Sequence, residues 1–265
     1  MRFVNVTVSD IAPLLECHAF ESKSKAIERI RRRGGIRWRS GSSSSHGRND
    51  QYGPLRALPA SREYEDRLIR DPLQFLDNAG GQDKLIAVED RIRSDALGMA
   101  LDASPGWISS FVNTEFGKAM ERQALSRVED RYGFCVQDRQ RPYKRIWTHP
   151  KIKSIKVCLV GCVDATFRDS RGNDGILEIK CRRYGFRAFR LHETIQLRTY
   201  LTLTKRDWGI LVQSHGRDIR KKVVKRDDDW FYRRVKPVID RIALHITRQS
   251  RRGSQRRQCH SKGNA

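Results

Sequence analysis

The 265-residue chain carries 54 lysines and arginines against 31 aspartates and glutamates, for a formal net charge of +23 and an isoelectric point near 10.4. That excess points to a polyanionic partner, nucleic acid before a membrane surface, because no segment is a long basic amphipathic helix with a Trp, Leu and Phe face and no apolar run reaches transmembrane length. With 38% hydrophobic residues the chain can bury a core, and its six scattered cysteines read as reduced thiols, not as a disulfide frame or a zinc site.

From the N-terminus, which lacks the apolar run of a signal peptide, residues 7–35 read as a helical pair. Ser9 caps a helix through Leu15, and Ser22 or Ser24 starts a second one that Gly34 and Gly35 end. Residues 1–36 are therefore expected to form an N-terminal helical segment. Its last turn, Arg31-Arg32-Arg33, suits the helix dipole and equally a phosphate contact. Residues 37–60, with Ser40-Gly-Ser-Ser-Ser-Ser-His46 and Gly53-Pro54, read as a flexible linker or loop, and the main domain is placed at 61–247.

Candidate helices follow at 63–70 and 87–98, and Trp107 and Phe111 have the spacing of a core pair. After a helix around 114–125 come a basic loop, Arg139-Gln-Arg-Pro-Tyr-Lys-Arg145, and a strand-like segment leading to the hairpin. Two strand-like runs follow, Val160-Gly-Cys-Val-Asp164 and Gly175-Ile-Leu-Glu-Ile-Lys180, joined by the turn-forming stretch 168–175. Beyond them Arg182, Arg183, Arg187 and Arg190 interleave with Tyr184, Phe186 and Phe189, a mixture suited to phosphate contact and base stacking or to anchoring a connection. A helix at 191–203, a buried strand at 208–213, a short strand near Val223 and a helix from Asp227 complete the core, the last carrying Trp230, Phe231, Val235, Ile239 and Ile242 roughly on one face. Residues 248–265 contain no acid and read as a basic tail, disordered in isolation. The seven histidines are dispersed without a ligand or catalytic pattern.

The two strand-like runs carry the chemistry. If Arg168 faces Asp174 in an antiparallel hairpin, the register carries Asp164 opposite Glu178. Alternation then puts Glu178 and Lys180 on one face and Leu177, Ile179 and Cys181 on an apolar other face. Two carboxylates side by side repel unless something neutralises them, and their hard oxygens suit Mg²⁺ or Mn²⁺. A protonated lysine beside them does not ligate; it orients a water or stabilises charge on a phosphate oxygen. A cross-strand acidic pair answered by Lys180 on a solvated face is the bland alternative.

Asp164, thirteen intervening residues and then Glu178-Ile179-Lys180 resemble the signature of the PD-(D/E)XK nuclease superfamily. Two more segments resemble its phage lambda-type exonuclease and YqaJ-type viral recombinase branch: residues 114–125, where Glu121 follows Gly117 by four positions, and residues 193–201, which carry Gln196. The resemblance covers roughly residues 107–214. It departs from the pattern at Val163, where the motif's nominal proline stands, and at Ala165, where a glycine is frequent.

The resemblance implies an α/β, restriction-endonuclease-like fold, a central mixed β-sheet flanked by helices, here with the additional N-terminal helical region. It implies Mg²⁺ or Mn²⁺ held by Asp164, Glu178 and the backbone carbonyl of Ile179, with Glu121 completing the site or holding a second ion. Glu121 fits the glycine spacing better than Glu115, which points to another helical face. Lys180 would position a water and Gln196 would bind it or the scissile phosphate; Arg182, Arg183, Tyr184, Arg187 and Arg190 would contact nucleic acid. The implied activity is exonucleolytic processing of duplex DNA ends, as in recombination, with a ring-like homo-oligomer or a recombination protein as partner. An endonuclease or an RNA-degrading nuclease would use the same residues, and a non-catalytic nucleic-acid-binding protein would account for the charge alone. The expected location is an intracellular reducing compartment, cytoplasm or nucleus.

Overall fold

Phe3, Val4, Asn5, Val6 and Thr7 follow one another with Val4 and Val6 buried, so the chain begins as a strand, β1 (Arg2–Thr7), where helix was expected for residues 1–36. The computed structural model describes residues 2–18, 21–33, 52–75, 81–182 and 185–261. Two helices follow, α1 (Val8–Leu14) and α2 (Lys23–Arg33). Thr7, not Ser9, is the N-cap of α1, in a capping box with Asp10. Asp10 is buried and binds Arg29 and Arg33, while Glu28 faces Arg31 and Arg32, so the all-arginine turn is engaged in ion pairs within the chain.

Part of the expected linker, residues 37–51, lies outside the described residues. The rest of it folds as α3 (Gly53–Arg56) and the start of α4 (Pro59–Arg70), with Tyr52, Leu55 and Leu58 buried. Next come α5 (Gly81–Gly98) and the 28-residue α6 (Pro105–Tyr132), capped by Ser104 and ended by Gly133 in the left-handed conformation.

The expected basic loop is instead part of a strand, β2 (Cys135–Thr148), whose residues alternate between exposed and half-buried. Neither of its faces is apolar enough to mark a strand in the sequence, and Pro142 is tolerated because β2 pairs with β3 alone. The remaining elements are β3 (Ile155–Arg168), β4 (Asp174–Cys181), α7 (Leu191–Thr204), β5 (Trp208–His215), β6 (Asp218–Lys225), α8 (Asp228–Trp230) and α9 (Lys236–Ser261). Helix α9 takes in most of the tail expected to be disordered, where arginine and glutamine are good helix formers.

The six strands form one mixed sheet flanked by helices, the expected fold class. Strand β3 is its hub. It pairs antiparallel with β2 along nearly its whole length, parallel with β1 over residues 155–160, and antiparallel with β4 over residues 165–168. The last two spans do not overlap, so β1 and β4 share the edge of β3 opposite β2. Strand β4 then runs parallel to β5, and β5 antiparallel to β6. One sheet face packs Val6, Val157, Leu159, Ile176 and Leu211 against α1, α7 and α9, and the other packs Leu177, Ile179, Ile210 and Val212 against Ala124, Leu125 and Val128 of α6. The N-terminal half of α6, including the fully buried Phe111, belongs instead to a helical core with α4 and α5. Helix α6 therefore passes from one core to the other near residue 121.

Candidate active site

The hairpin register is the one the turn implies, from Arg168↔Asp174 to Ala165↔Leu177, but there the pairing stops. Asp164 and Glu178 are not a ladder pair. On the edge of β3 shared by β1 and β4, neither strand pairs with residues 161–164, and the candidate site residues gather at this gap. Across it, the Ile179 N–H donates to Asp164 Oδ2 at 2.7 Å, so the Asp164 carboxylate takes the place that a strand carbonyl would otherwise hold.

Glu178 is 1% exposed. Its Oε1 accepts from Lys180 Nζ at 2.5 Å, and its Oε2 is buried with no hydrogen-bond partner. Burial, then the Asp164 charge, and to a lesser degree Glu121, push the Glu178 carboxyl up to about 8 against the opposing pull of Lys180. Burial works to lower the Lys180 ammonium, but Glu178 and Asp164 outweigh it and raise it, so Lys180 stays a cation. The neighbouring Cys181 thiol is pushed up to about 12 by burial and by Glu121 and Asp164, which makes it an inert thiol.

Glu121 stands at the passage of α6 between the two cores, and its Oε1 accepts from Gln140 Nε2 at 2.8 Å. The same Gln140 nitrogen lies 3.4 Å from Asp164 Oδ1. Glu115, six residues earlier, is held elsewhere by Arg56 and Lys118. Gln196 on α7 is hydrogen-bonded to Tyr200, whose hydroxyl is raised well above its usual range by burial and by Glu178. Gln196 thus meets Tyr200, whose hydroxyl feels the Glu178 and Asp164 charges. Tyr200 fits over β3 because residue 161 is glycine: a Cβ there would press into its ring and stand 2.7 Å from Val8 Cγ2.

The basic run beyond Lys180 is less uniform than its sequence. Arg182 turns inward, its guanidinium 2.6 Å from the buried Glu193 and its Nε buried without a partner, so it holds the start of α7 and does not face solvent. Arg187 is exposed, with its backbone N–H on Gln213 Oε1, and Arg190 is the N-cap of α7. Arg183 and Tyr184 lie outside the described residues.

Sequence reasoning passed over Gln140, Tyr200, Gln213 and Glu193. Tyr200 had a signal, four residues after Gln196 on one helical face. Gln140 had none: it sat in a polar stretch whose strand was not recognised.

The donor set fits a hard divalent cation in chemistry: carboxylates from three elements, one buried oxygen without a partner, and a net negative charge that Lys180 alone does not balance. Among the described residues no three His, Cys, Asp or Glu side chains form a ready cage. The carboxylates are held by Gln140, Lys180 and the Ile179 N–H, and water would complete a coordination shell.

No family model matches the chain, and no curated protein matches it by sequence. Among solved structures, the protein SSO0001 superposes with a TM-score of 0.41 at 17% identity, over 71% of this chain and 85% of its own. An alkaline exonuclease from Laribacter hongkongensis, LHK-Exo, gives a TM-score of 0.39 at 15% identity, over 73% of this chain and 98% of its own. The same enzyme in complex with dAMP gives 0.38 at 15% identity, over 72% and 92%. Likeness at this level is silent on activity.

Proposed function

We propose that the protein is a metal-dependent DNA nuclease of PD-(D/E)XK type, acting exonucleolytically on duplex ends. The observation that carries the reading is the convergence of Glu121, Asp164, Glu178 and Lys180 on one gap in the sheet, with Glu178 Oε2 buried and without a partner. A buried, unsatisfied carboxylate oxygen costs stability, which a cation would recover. The net charge of +23 suits a DNA substrate.

Asp164 and Glu178, with the Ile179 carbonyl, would hold Mg²⁺ or Mn²⁺, and Glu121 would complete that site or serve a second ion. A bound cation would supply an acidified water and charge stabilisation at the phosphate. Lys180, kept protonated by Glu178 and Asp164, orients the attacking water and offsets charge on a phosphate oxygen. Gln196, steadied by Tyr200, donates to that water or to the phosphate.

The test is incubation of the protein with end-labelled linear DNA, closed circular DNA and RNA, each with Mg²⁺ and with chelator. The reading expects linear duplex to be degraded from its ends, circles to survive, and all cleavage to stop in chelator. Cut circles would make the protein an endonuclease, preferential loss of RNA a ribonuclease, and binding without any cleavage a nucleic-acid-binding protein that has no use for this site.

A further inference from the structure

Gln140 is one of four non-glycine residues with a positive φ among the described residues, at +50°. It lies just past a bulge, where β2 gains one residue against β3 between Val136 and Arg139. Glutamine has no intrinsic preference for this conformation, and backbone strain of this kind persists where the surroundings impose it, often at working sites. Here the side-chain amide points at the carboxylates. Its two N–H bonds suffice for Glu121 Oε1 at 2.8 Å and Asp164 Oδ1 at 3.4 Å, and the Cys162 thiol donates to the Gln140 backbone carbonyl at 2.9 Å, which ties this residue to β3. A neutral amide orients two anions without supplying a positive charge that would compete with a cation.

We propose that Gln140 is a positioning residue: it draws Glu121 from α6 and Asp164 from β3 together so that both serve one divalent-cation site, an inference that rests on the nuclease reading above. It touches neither the substrate nor the reacting atoms; it acts through the two carboxylates. Partners that orient ligating side chains typically change metal affinity by about 10- to 100-fold when removed.

The experiment measures Mn²⁺ binding to the full chain by calorimetry without DNA, and thermal unfolding in chelator, for wild type, Gln140→Gly and Gln140→Asn. Glycine and asparagine both accept a positive φ, so neither variant should unfold earlier than wild type. Glycine lacks the amide, and asparagine is one methylene too short to reach both carboxylates. The expected result is a Mn²⁺ dissociation constant raised on the order of tenfold or more in both variants, with Tm in chelator equal or higher. Unchanged or tighter Mn²⁺ binding in the variants overturns the proposal and leaves the nuclease reading standing. A fall in Tm that parallels the loss of affinity also overturns it, by making Gln140 a structural residue. Absence of Mn²⁺ binding by the wild type overturns both.

Discussion

Glu178 is the residue on which the site's energetics turn. Its folded pKa is raised from 4.5 to about 8, so between those values the folded protein holds a proton that the unfolded chain has released. Stability from this group is therefore fully present below about pH 4.5 and declines as pH rises through about 8, where the carboxylate must be buried charged. In chelator, wild type should lose Tm between pH 6 and 9 more steeply than Glu178→Gln, which has no proton to lose. Equal slopes by scanning calorimetry would mean that Glu178 is not forced to titrate in the folded state. Lys180 is the complementary residue: Lys180→Ala should lower the cleavage rate at saturating metal on the order of a hundredfold or more, the size typical of a positioned polar group. A rate near wild type would return it to the surface role that an acidic pair on a solvated hairpin would give it.

The site works at the level of elements because β1 and β4 occupy one edge of β3 end to end and leave residues 161–164 without a strand neighbour between them. Gly161 lets Tyr200 close over that gap. Gly161→Ala should destabilise the fold by about 1–3 kcal/mol through overpacking and, by displacing Tyr200, weaken the hold on Gln196; chemical denaturation checks the first, and a Tyr200→Phe control separates impaired packing from a missing hydrogen bond. Stability equal to wild type in Gly161→Ala would show that Tyr200 is free to move aside. The hairpin was legible in the sequence because its information is local: turn formers at 168–175 and apolar alternation in Leu177, Ile179 and Cys181 set the register. Where pairing ended was not legible, since it depends on β1, whose partner on β3 lies about 150 residues away along the chain. The 139–145 part of β2 reads as a loop because both of its faces are polar or half-buried, and Gln140 with it, since its approach to Asp164 belongs to a strand that forms only on pairing with β3.

At the scale of the whole molecule the charge of +23 has to be separated from the chemistry. Among the described side chains the last buried ones of α9 are Ile246 and Thr247, and removing residues 248–265 leaves these in place while deleting six basic residues and no acidic one. Every DNA phosphate that the tail neutralises adds roughly one to the slope of log affinity against log salt, so the truncated protein should bind DNA more weakly and with less salt dependence, yet cleave at its former rate once saturated. An unchanged affinity and slope would remove the tail from the DNA interface. The most direct measurement of the central claim is single-turnover cleavage of linear duplex DNA in Mg²⁺ by wild type and by Asp164→Asn, with DNA affinity recorded alongside. On the proposed mechanism asparagine would remove a metal ligand and a negative charge beside the phosphate, so cleavage should vanish while affinity holds or tightens. A folded Asp164→Asn protein that cuts DNA at the wild-type rate would contradict the account.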